Sequence, residues 1–284
     1  MDDSKFLITG SAGQLGRALQ KQYPNARPTD AAELDITDWQ SLSDFDWGGI
    51  TTILSAAAYT NVDGAETPEG RIAAWKVNAQ AVANLTRIAQ QKDLLIIHLS
   101  TDYVFDGSQN PHTEDEPLSP LSVYGASKAA GDVVLTQVPR YYLLRTSWVI
   151  GDGKNFVRTM LELGKKGVNP SVVADQVGRP TFTAELVRAI DHLLKNNPEY
   201  GLYNISNGGD PVSWSQFTRE IFMQAGLSNT VTDTTTQEYY KDKPQTAPRP
   251  LNSLFDLSKI QAAGFTSADW RDDLAEYIKK ESTE

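Results

Sequence analysis

Tyr124 and Lys128, four positions apart in the stretch SVYGASKAAG, are the first residues in the chain whose types and spacing suggest chemistry. Residues at that spacing on a helix share one face, about 6 Å apart at their β-carbons, so both side chains can address one ligand. A phenol near pKa 10 is poorly matched to proton transfer at neutral pH; tuning it to about 7 takes roughly 4 kcal/mol of extra stabilisation of the phenolate. An ammonium about 5 Å away contributes roughly 3 kcal/mol at an effective dielectric near 20. An oxidised, cationic nicotinamide ring could supply the remainder, so the pair makes chemical sense beside that cofactor. On any other helix it is an ordinary solvated face.

Two other stretches bear on that choice. The apolar run at residues 94–101, LLIIHLST, ends in Ser100 and Thr101 with Asp102 next, at the carboxyl end of an expected strand, where ligands of open α/β sheets bind. A hydroxyl there can donate to the same substrate oxygen as the tyrosine, although strand ends also use such residues for turn hydrogen bonds. Near the start, TGSAGQLGRAL places Gly10, Gly13 and Gly16 directly after one expected strand and at the opening of a helix. Glycines there permit a tight turn and close approach to a diphosphate, while the helix N-terminus offers N–H donors to the anion. The spacing is GxxGxxG, and a strand-to-helix turn without a ligand is the plain alternative.

An acid about 20 residues past such a motif holds the adenosine ribose, and both Asp30 and Asp35 in PTDAAELDIT qualify. No basic residue follows Asp30 directly to announce a 2′-phosphate. Arg17, beside the last glycine, could do so or could be an exposed helix residue.

The elements that must position these residues follow from hydrophobic periodicity. Residues 5–9, 51–57, 94–101 and 141–150 read as buried strands, and residues 15–23 and 74–91 as helices, the second with Val77, Ala81, Leu85 and Ile88 on one face. Strands alternating with helices predict an α/β chain with a doubly wound parallel sheet over residues 1–150. Residues 151–284 predict a smaller, mainly separate C-terminal α/β domain for substrate, with 184–206 returning to the large sheet and 229–242 forming a surface loop.

With 284 residues and 40% hydrophobic composition the chain can bury a substantial core. Its formal charge of −10 provides no global field for nucleic acid or an anionic membrane. The absence of cysteine excludes thiolate nucleophiles and thiolate metal sites and fits an intracellular protein. His98, His112 and His192 are too scattered for a metal site and are expected to be packing or surface residues. The start, MDDSKFLITG, lacks the pattern of a signal peptide, and no run reaches the roughly 18 apolar residues of a membrane span, so a cytoplasmic location is expected.

Taken together, TGSAGQLG, AAAYTNVDGAE, VNAQAVANL, STDYVFDG, YGASK, RTSWVIG, DQVGRPT and RPLNS resemble the extended short-chain dehydrogenase/reductases over most of the chain. The resemblance implies a Rossmann-like fold and reduction of the C4 keto group of a dTDP-sugar, dTDP-4-dehydro-L-rhamnose giving dTDP-L-rhamnose. NADPH is the favoured cofactor, with NADH the second candidate. Carried over residue by residue, it implies a catalytic set of Thr101, Tyr124 and Lys128, in which Tyr124 protonates the C4 carbonyl oxygen beside the cofactor, Lys128 holds the nicotinamide ribose and depresses the tyrosine pKa, and Thr101 binds the reacting oxygen of the substrate. Gly13, Gln14, Leu15, Asp30, Ala58, Tyr59 and Thr60 would meet the cofactor, and Asp102 and Trp148 the substrate. Arg249, in APRPLNS, is either a further candidate for the substrate diphosphate, on the reading of its own residues, or an ordinary surface arginine.

Some members of that family are magnesium-bridged dimers using a glutamate where this chain has Ala18; Glu185 alone does not make an oxygen-rich metal site. The expectation is therefore no metal and a monomer or weak homodimer, with the possibility left open that the chain is one part of a larger fused enzyme. Competing functions are an epimerase or dehydratase of the same fold, and a non-catalytic binding subunit.

Overall fold

The computed structural model describes residues 1–243 and 245–282. Five strands, β1 (Phe6–Thr9), β2 (Arg27–Thr29), β3 (Thr52–Ser55), β4 (Leu95–Thr101) and β5 (Tyr141–Thr146), are followed by short strands β6 (Val149–Ile150), β7 (Ser171–Val173), β8 (Val177–Gly178) and β9 (Thr181–Phe182). Then come β10 (Gly201–Asn204), β11 (Val212–Ser213) and β12 (Thr232–Thr234). The central sheet has the order β10-β5-β4-β3-β1-β2, and every pairing in it is parallel. Because β1 sits between β2 and β3, the chain winds outward in both directions from it. The crevice between the ends of β1 and β3 is the switch point at which such sheets bind ligands.

Helices α1 (Gln14–Gln22), α2 (Trp39–Asp44), α3 (Pro68–Trp75), α4 (Ala81–Lys92) and α5 (Val123–Leu135) belong to the first half of the chain. Helices α6 (Phe156–Lys165), α7 (Thr183–Asn196), α8 (Trp214–Gln224), α9 (Thr236–Tyr240), α10 (Ser258–Ala262) and α11 (Trp270–Glu281) complete it. Successive strand residues point to opposite faces, so Ile8, Ile97 and Leu144 pack with Leu19 of α1 and Leu186 and Ile190 of α7. Leu7, Ile96 and Leu143 pack on the other face with Leu42, Leu85, Ile88 and Leu135. Each fully buried side chain of this kind stabilises by roughly 1.5–3 kcal/mol. A third cluster joins α6, α8 and α11 through Val157, Leu161, Phe217, Ile221 and Leu274.

Several boundaries differ from the sequence-based expectation. The expected strand at 141–150 stops at Thr146, because Trp148 takes a left-handed φ of 49° and turns the chain out of the sheet; Val149–Ile150 pairs with β9 instead. The expected helix at 74–91 begins earlier, at Pro68, where Thr67 caps it and proline takes the first turn, and it passes through a π turn at Lys76–Gln80 before α4. The expected loop at 229–242 holds β12, paired with β7, and α9, capped by Thr235; both are short and polar on their exposed side, so no periodicity betrays them. The β10 strand pairs with β5, and Phe255, Leu257, Ile260 and Phe265 pack into the first sheet cluster with it.

Candidate active site

The β1 strand delivers the chain to Gly10, whose φ of +68° and whose neighbour across the crevice both demand glycine: an added Cβ would lie 2.6 Å from Ala57 Cα. Gly16 serves a different end. Its Cβ would lie 2.1 Å from the Gly10 carbonyl, so it is packed under the turn and does not face the crevice. Gly13 is the N-cap of α1, and no side chain caps it, which leaves the first turn of α1 as an anion-binding terminus.

A cavity of about 280 Å³ at this corner is lined by Gly10, Gly13, Asp30, Asp35 and Ala58, among others. It shares Gly13, Ala56 and Ala58 with a second cavity of about 610 Å³, lined by Gln14, Leu15, Thr60, Thr101, Asp102, Tyr124, Lys128 and Trp148. The two form one trough along the carboxyl edge of the sheet. Tyr59 lines neither cavity; its backbone N–H donates to Asn78 Oδ1 at 2.9 Å and its carbonyl accepts from Asn78 Nδ2 at 3.1 Å, which clamps the segment that carries Ala58 and Thr60. Arg17 does not face the adenosine corner: its guanidinium donates to the carbonyls of Ala12 and Asp152 and ties the glycine turn to the loop after β6. Along the trough, Thr146 Oγ1 and Gln14 Oε1 have no hydrogen-bond partner among the described residues, as expected of walls built for a polar guest.

Tyr124 enters from the first turn of α5, which starts where Ser122 Oγ accepts the Gly125 N–H at 3.0 Å. Gly125 has to be small, because an added Cβ would lie 2.1 Å from the Tyr103 carbonyl, and that contact seats Tyr124 beside the end of β4. The Thr101 hydroxyl donates to Asp102 Oδ1 at 3.0 Å, and Ser253 Oγ donates to Asp102 Oδ2 at 2.5 Å. Tyr103 packs edge-on against Tyr124 with ring centroids 5.4 Å apart.

Burial pushes the Tyr124 phenol above its usual value, with the charges of Asp102 and Asp132 adding to the rise and a hydrogen bond from Thr101 opposing it. The expectation that Lys128 depresses this phenol is therefore not met in the protein alone. Lys128 is itself 2% exposed; desolvation lowers it to about 8 against the pull of Asp132. Its ammonium donates to the Leu99 carbonyl at 2.7 Å and faces His98 Nε2 at 3.2 Å. His98 was expected to be a packing or surface residue, and its involvement escaped the sequence. The one available signal was a lone polar residue inside the apolar run LLIIHLS.

At its outer end the trough shares Tyr103 and Trp148 with a third cavity of about 450 Å³, walled by Phe156, Met160, Val172, Trp214, Tyr239, Tyr240 and Arg249. Trp148 stacks on Trp214 with centroids 3.6 Å apart and planes 14° from parallel. Trp148 is thus a cavity wall as well as a packed residue. Arg249 lines the same cavity, but its guanidinium is held by Asp63 at 2.8 and 3.0 Å and lies over the Tyr240 ring. A flat apolar slot beside an arginine suits an aromatic base attached to a diphosphate.

Among the described residues no group of acids and histidines has the arrangement of a metal site, and no helix is long and apolar enough to cross a membrane. Glu185 is fully buried, accepts the Ala268 N–H at 3.1 Å and pairs with Arg188. His112 stacks on Phe105 and bonds Glu116, and His192 bonds the Ala263 carbonyl, so both hold loops in place.

Residues 4–283 match the family model described as the RmlD substrate binding domain. The chain is 39% identical to dTDP-4-dehydrorhamnose reductase of Aggregatibacter actinomycetemcomitans across 94% of this chain and 96% of that protein. Its fold is similar to the crystal structure of a dTDP-4-dehydrorhamnose reductase from Clostridium acetobutylicum, with a TM-score of 0.89, 36% identity and coverage of 98% and 99% of the two chains. It is similar also to the dTDP-4-dehydrorhamnose reductase of Bacillus anthracis solved in complex with NADP, with a TM-score of 0.88, 34% identity and coverage of 97% and 98%.

Proposed function

This chain belongs to the RmlD substrate binding domain family, and from that premise we propose that it reduces the C4 keto group of dTDP-4-dehydro-L-rhamnose with NAD(P)H to give dTDP-L-rhamnose. The observation that carries the reading is continuity: Thr101, Tyr124 and Lys128 line one trough that reaches the glycine turn at one end and the aromatic cavity at the other. Cofactor and sugar nucleotide can thus meet at the phenol.

In this reading the glycine turn and the α1 N-terminus hold the cofactor diphosphate, Gln14, Leu15, Ala58 and Thr60 wall the nicotinamide half, and Asp30 or Asp35 meets the adenosine ribose. The bound cofactor supplies a hydride to C4. Tyr124 donates its phenolic proton to the carbonyl oxygen, so that oxygen becomes the new hydroxyl and the phenol recovers its proton from solvent. Burial keeps the phenol protonated through neutral pH, the form a donor must have. The Thr101 hydroxyl, which donates to Asp102 in the protein alone, turns its proton to the same oxygen, and Lys128 places positive charge beside the phenolate as it forms. Trp148 and Trp214 pack the base or sugar, and Arg249 meets the diphosphate by exchanging Asp63, which is half exposed, for the ligand.

Residues 151–282 without the returning β10 and α7 segment serve mainly as the substrate half. With Glu185 engaged inside its own chain, the protein acts as a monomer or weak homodimer, and its location is the cytoplasm. The test is to add dTDP-4-dehydro-L-rhamnose to purified protein with NADPH or NADH and follow the near-ultraviolet absorbance of the reduced nicotinamide. Its rapid loss is the expected result; no loss with either cofactor, in protein that binds one of them, would overturn the reductase reading.

A further inference from the structure

We infer that Asp132, fixed in place by Arg145, is a positioning residue for the reduction, holding Lys128 as an ammonium beside the Tyr124 phenol. The inference rests on the reading of the trough as a reductase's site and adds two residues that line none of its three cavities.

Lys128 and Asp132 are one turn apart on α5, so they share a face with their β-carbons about 6 Å apart. Both are buried, and so is Arg145, which reaches them from β5. Arg145 Nε donates to Asp132 Oδ2 at 3.2 Å and Nη1 donates to the Glu114 carbonyl at 3.1 Å, while the guanidinium lies over the Phe105 ring, 4.9 Å from its centroid. A guanidinium held on three sides fixes the carboxylate it meets. The other carboxylate oxygen, Oδ1, is buried without a hydrogen-bond partner among the described residues, so Arg145 compensates the charge only in part. Three buried charges thus run positive, negative, positive from Lys128 to Arg145.

The other groups around the ammonium do not replace that carboxylate. From β4 come the neutral His98 and the Leu99 carbonyl, which accept hydrogen bonds but carry no charge. Asp102, just after β4, uses its oxygens on Thr101 and Ser253, and its charge acts on the Tyr124 phenol. Glu66 meets α5 at its first turn, where it accepts the Val123 N–H at 2.9 Å. On the side of the π turn an added Cβ at Gly131 would lie 2.2 Å from the Asn78 carbonyl, so backbone packs against backbone there. Facing Asp132 itself, besides Lys128 and Arg145, is the hydroxyl residue Ser100 of β4.

Burial by itself drives an ammonium to shed its proton, and the charge of Asp132 opposes that loss. When Tyr124 gives up its proton, phenolate, ammonium, carboxylate and guanidinium alternate in sign. The new anion then meets a cation whose own charge is already supported.

The test is the titration of Lys128 in Asp132→Asn, read in two ways. Carbon-13 NMR of lysine-labelled protein, with the Lys128 signal assigned by its loss in Lys128→Met, follows the ammonium without turnover; kcat/KM against pH follows it in the reaction. Removing a carboxylate about 6 Å away lowers the midpoint by about one to two units in both, at an effective dielectric near 20. Arg145→Gln breaks the same ion pair but leaves the carboxylate to Lys128, so its midpoint should lie at or above that of the unmodified protein. Should Asp132→Asn fail to fold around its unpaired guanidinium, Asp132→Asn combined with Arg145→Gln removes both charges and should still lower the midpoint, by less. A midpoint unmoved where the carboxylate is gone, or an equal fall in the two single variants, would overturn the inference while leaving the reductase reading intact. The expected NMR shifts in a protein whose unmodified form turns over neither cofactor would overturn the reductase reading and leave the charge row standing.

Discussion

The ammonium of Lys128 lies 3.2 Å from Nε2 of His98, whose Nδ1 in turn lies 3.0 Å from Ser55 Oγ. An ammonium is a donor only, so Nε2 must accept and the ring proton sits on Nδ1 facing Ser55. Burial, reinforced by the charge of Lys128, holds His98 well below its ordinary value and keeps it neutral. Ser55, His98 and Lys128 thus make a buried row reaching from β3 to α5, with the Leu99 carbonyl as the second anchor of the ammonium.

Replacing His98 by Leu should leave that ammonium with one protein acceptor fewer. Lys128 needs its proton to stabilise a phenolate, so activity falls as pH rises through its pKa, which burial sets at about 8. Loss of a hydrogen bond to a charged group, roughly 1.5–3 kcal/mol, moves that limb to lower pH by about one to two units. His98→Gln, which retains an acceptor, should recover part of the shift. The measurement is kcat/KM against pH, and an alkaline limb unmoved in His98→Leu would show that His98 only fills space.

Replacing Tyr124 by Phe removes the proton donor without removing the ring that packs against Tyr103. Loss of a general acid lowers kcat by about 10²–10⁴, while the cofactor dissociation constant should stay within roughly twofold. Single-turnover rates and a fluorescence titration separate the two. Full activity in this variant would place the proton source elsewhere.

Trp214 backs Trp148 face to face, and Trp148 is held in left-handed backbone that a bulky residue seldom adopts. Without its partner that ring is free to swing. Trp214→Ala should raise the KM for the sugar nucleotide about tenfold, in line with the loss of one aromatic stack and its buried area, with a smaller change in kcat. Cofactor affinity should be unaffected, because Trp214 lines the outer cavity and not the trough. Equal KM values for the two proteins would remove Trp214 from the substrate wall.

Much of the scaffold is legible because its signals are local. Phe6 to Thr9 is a run of four buried residues, and glycine marks a turn that only glycine can make. Tyr124 and Lys128 are legible because one helical turn separates them. His98 and Lys128 are 30 positions apart, and Trp148 and Trp214 are 66 apart; only the folded sheet and the outer cavity bring each pair together. The β2 strand hid because Arg27 and Pro28 are exposed, and Tyr239 and Tyr240 hid in a polar stretch whose helix is five residues long.

Asp102 couples this site to stability through pH. It is 3% exposed, and burial raises its carboxyl from 3.8 to about 6 against the hydrogen bonds from Ser253 and Thr101. A carboxyl whose folded pKa exceeds its unfolded one favours folding while protonated. That contribution is complete below about 4 and is lost as pH rises through about 6. At pH 7 the buried carboxylate therefore costs roughly 3 kcal/mol relative to the neutral group. Asp102→Asn stays neutral, can accept from Thr101 and can donate to Ser253. It should melt at a higher temperature than the unmodified protein near pH 7.5, and the gap should close as the pH falls from about 6 towards 4. Thermal denaturation of both proteins across that range reads the effect directly, and a gap independent of pH would show that the Asp102 carboxylate is not strained by its burial.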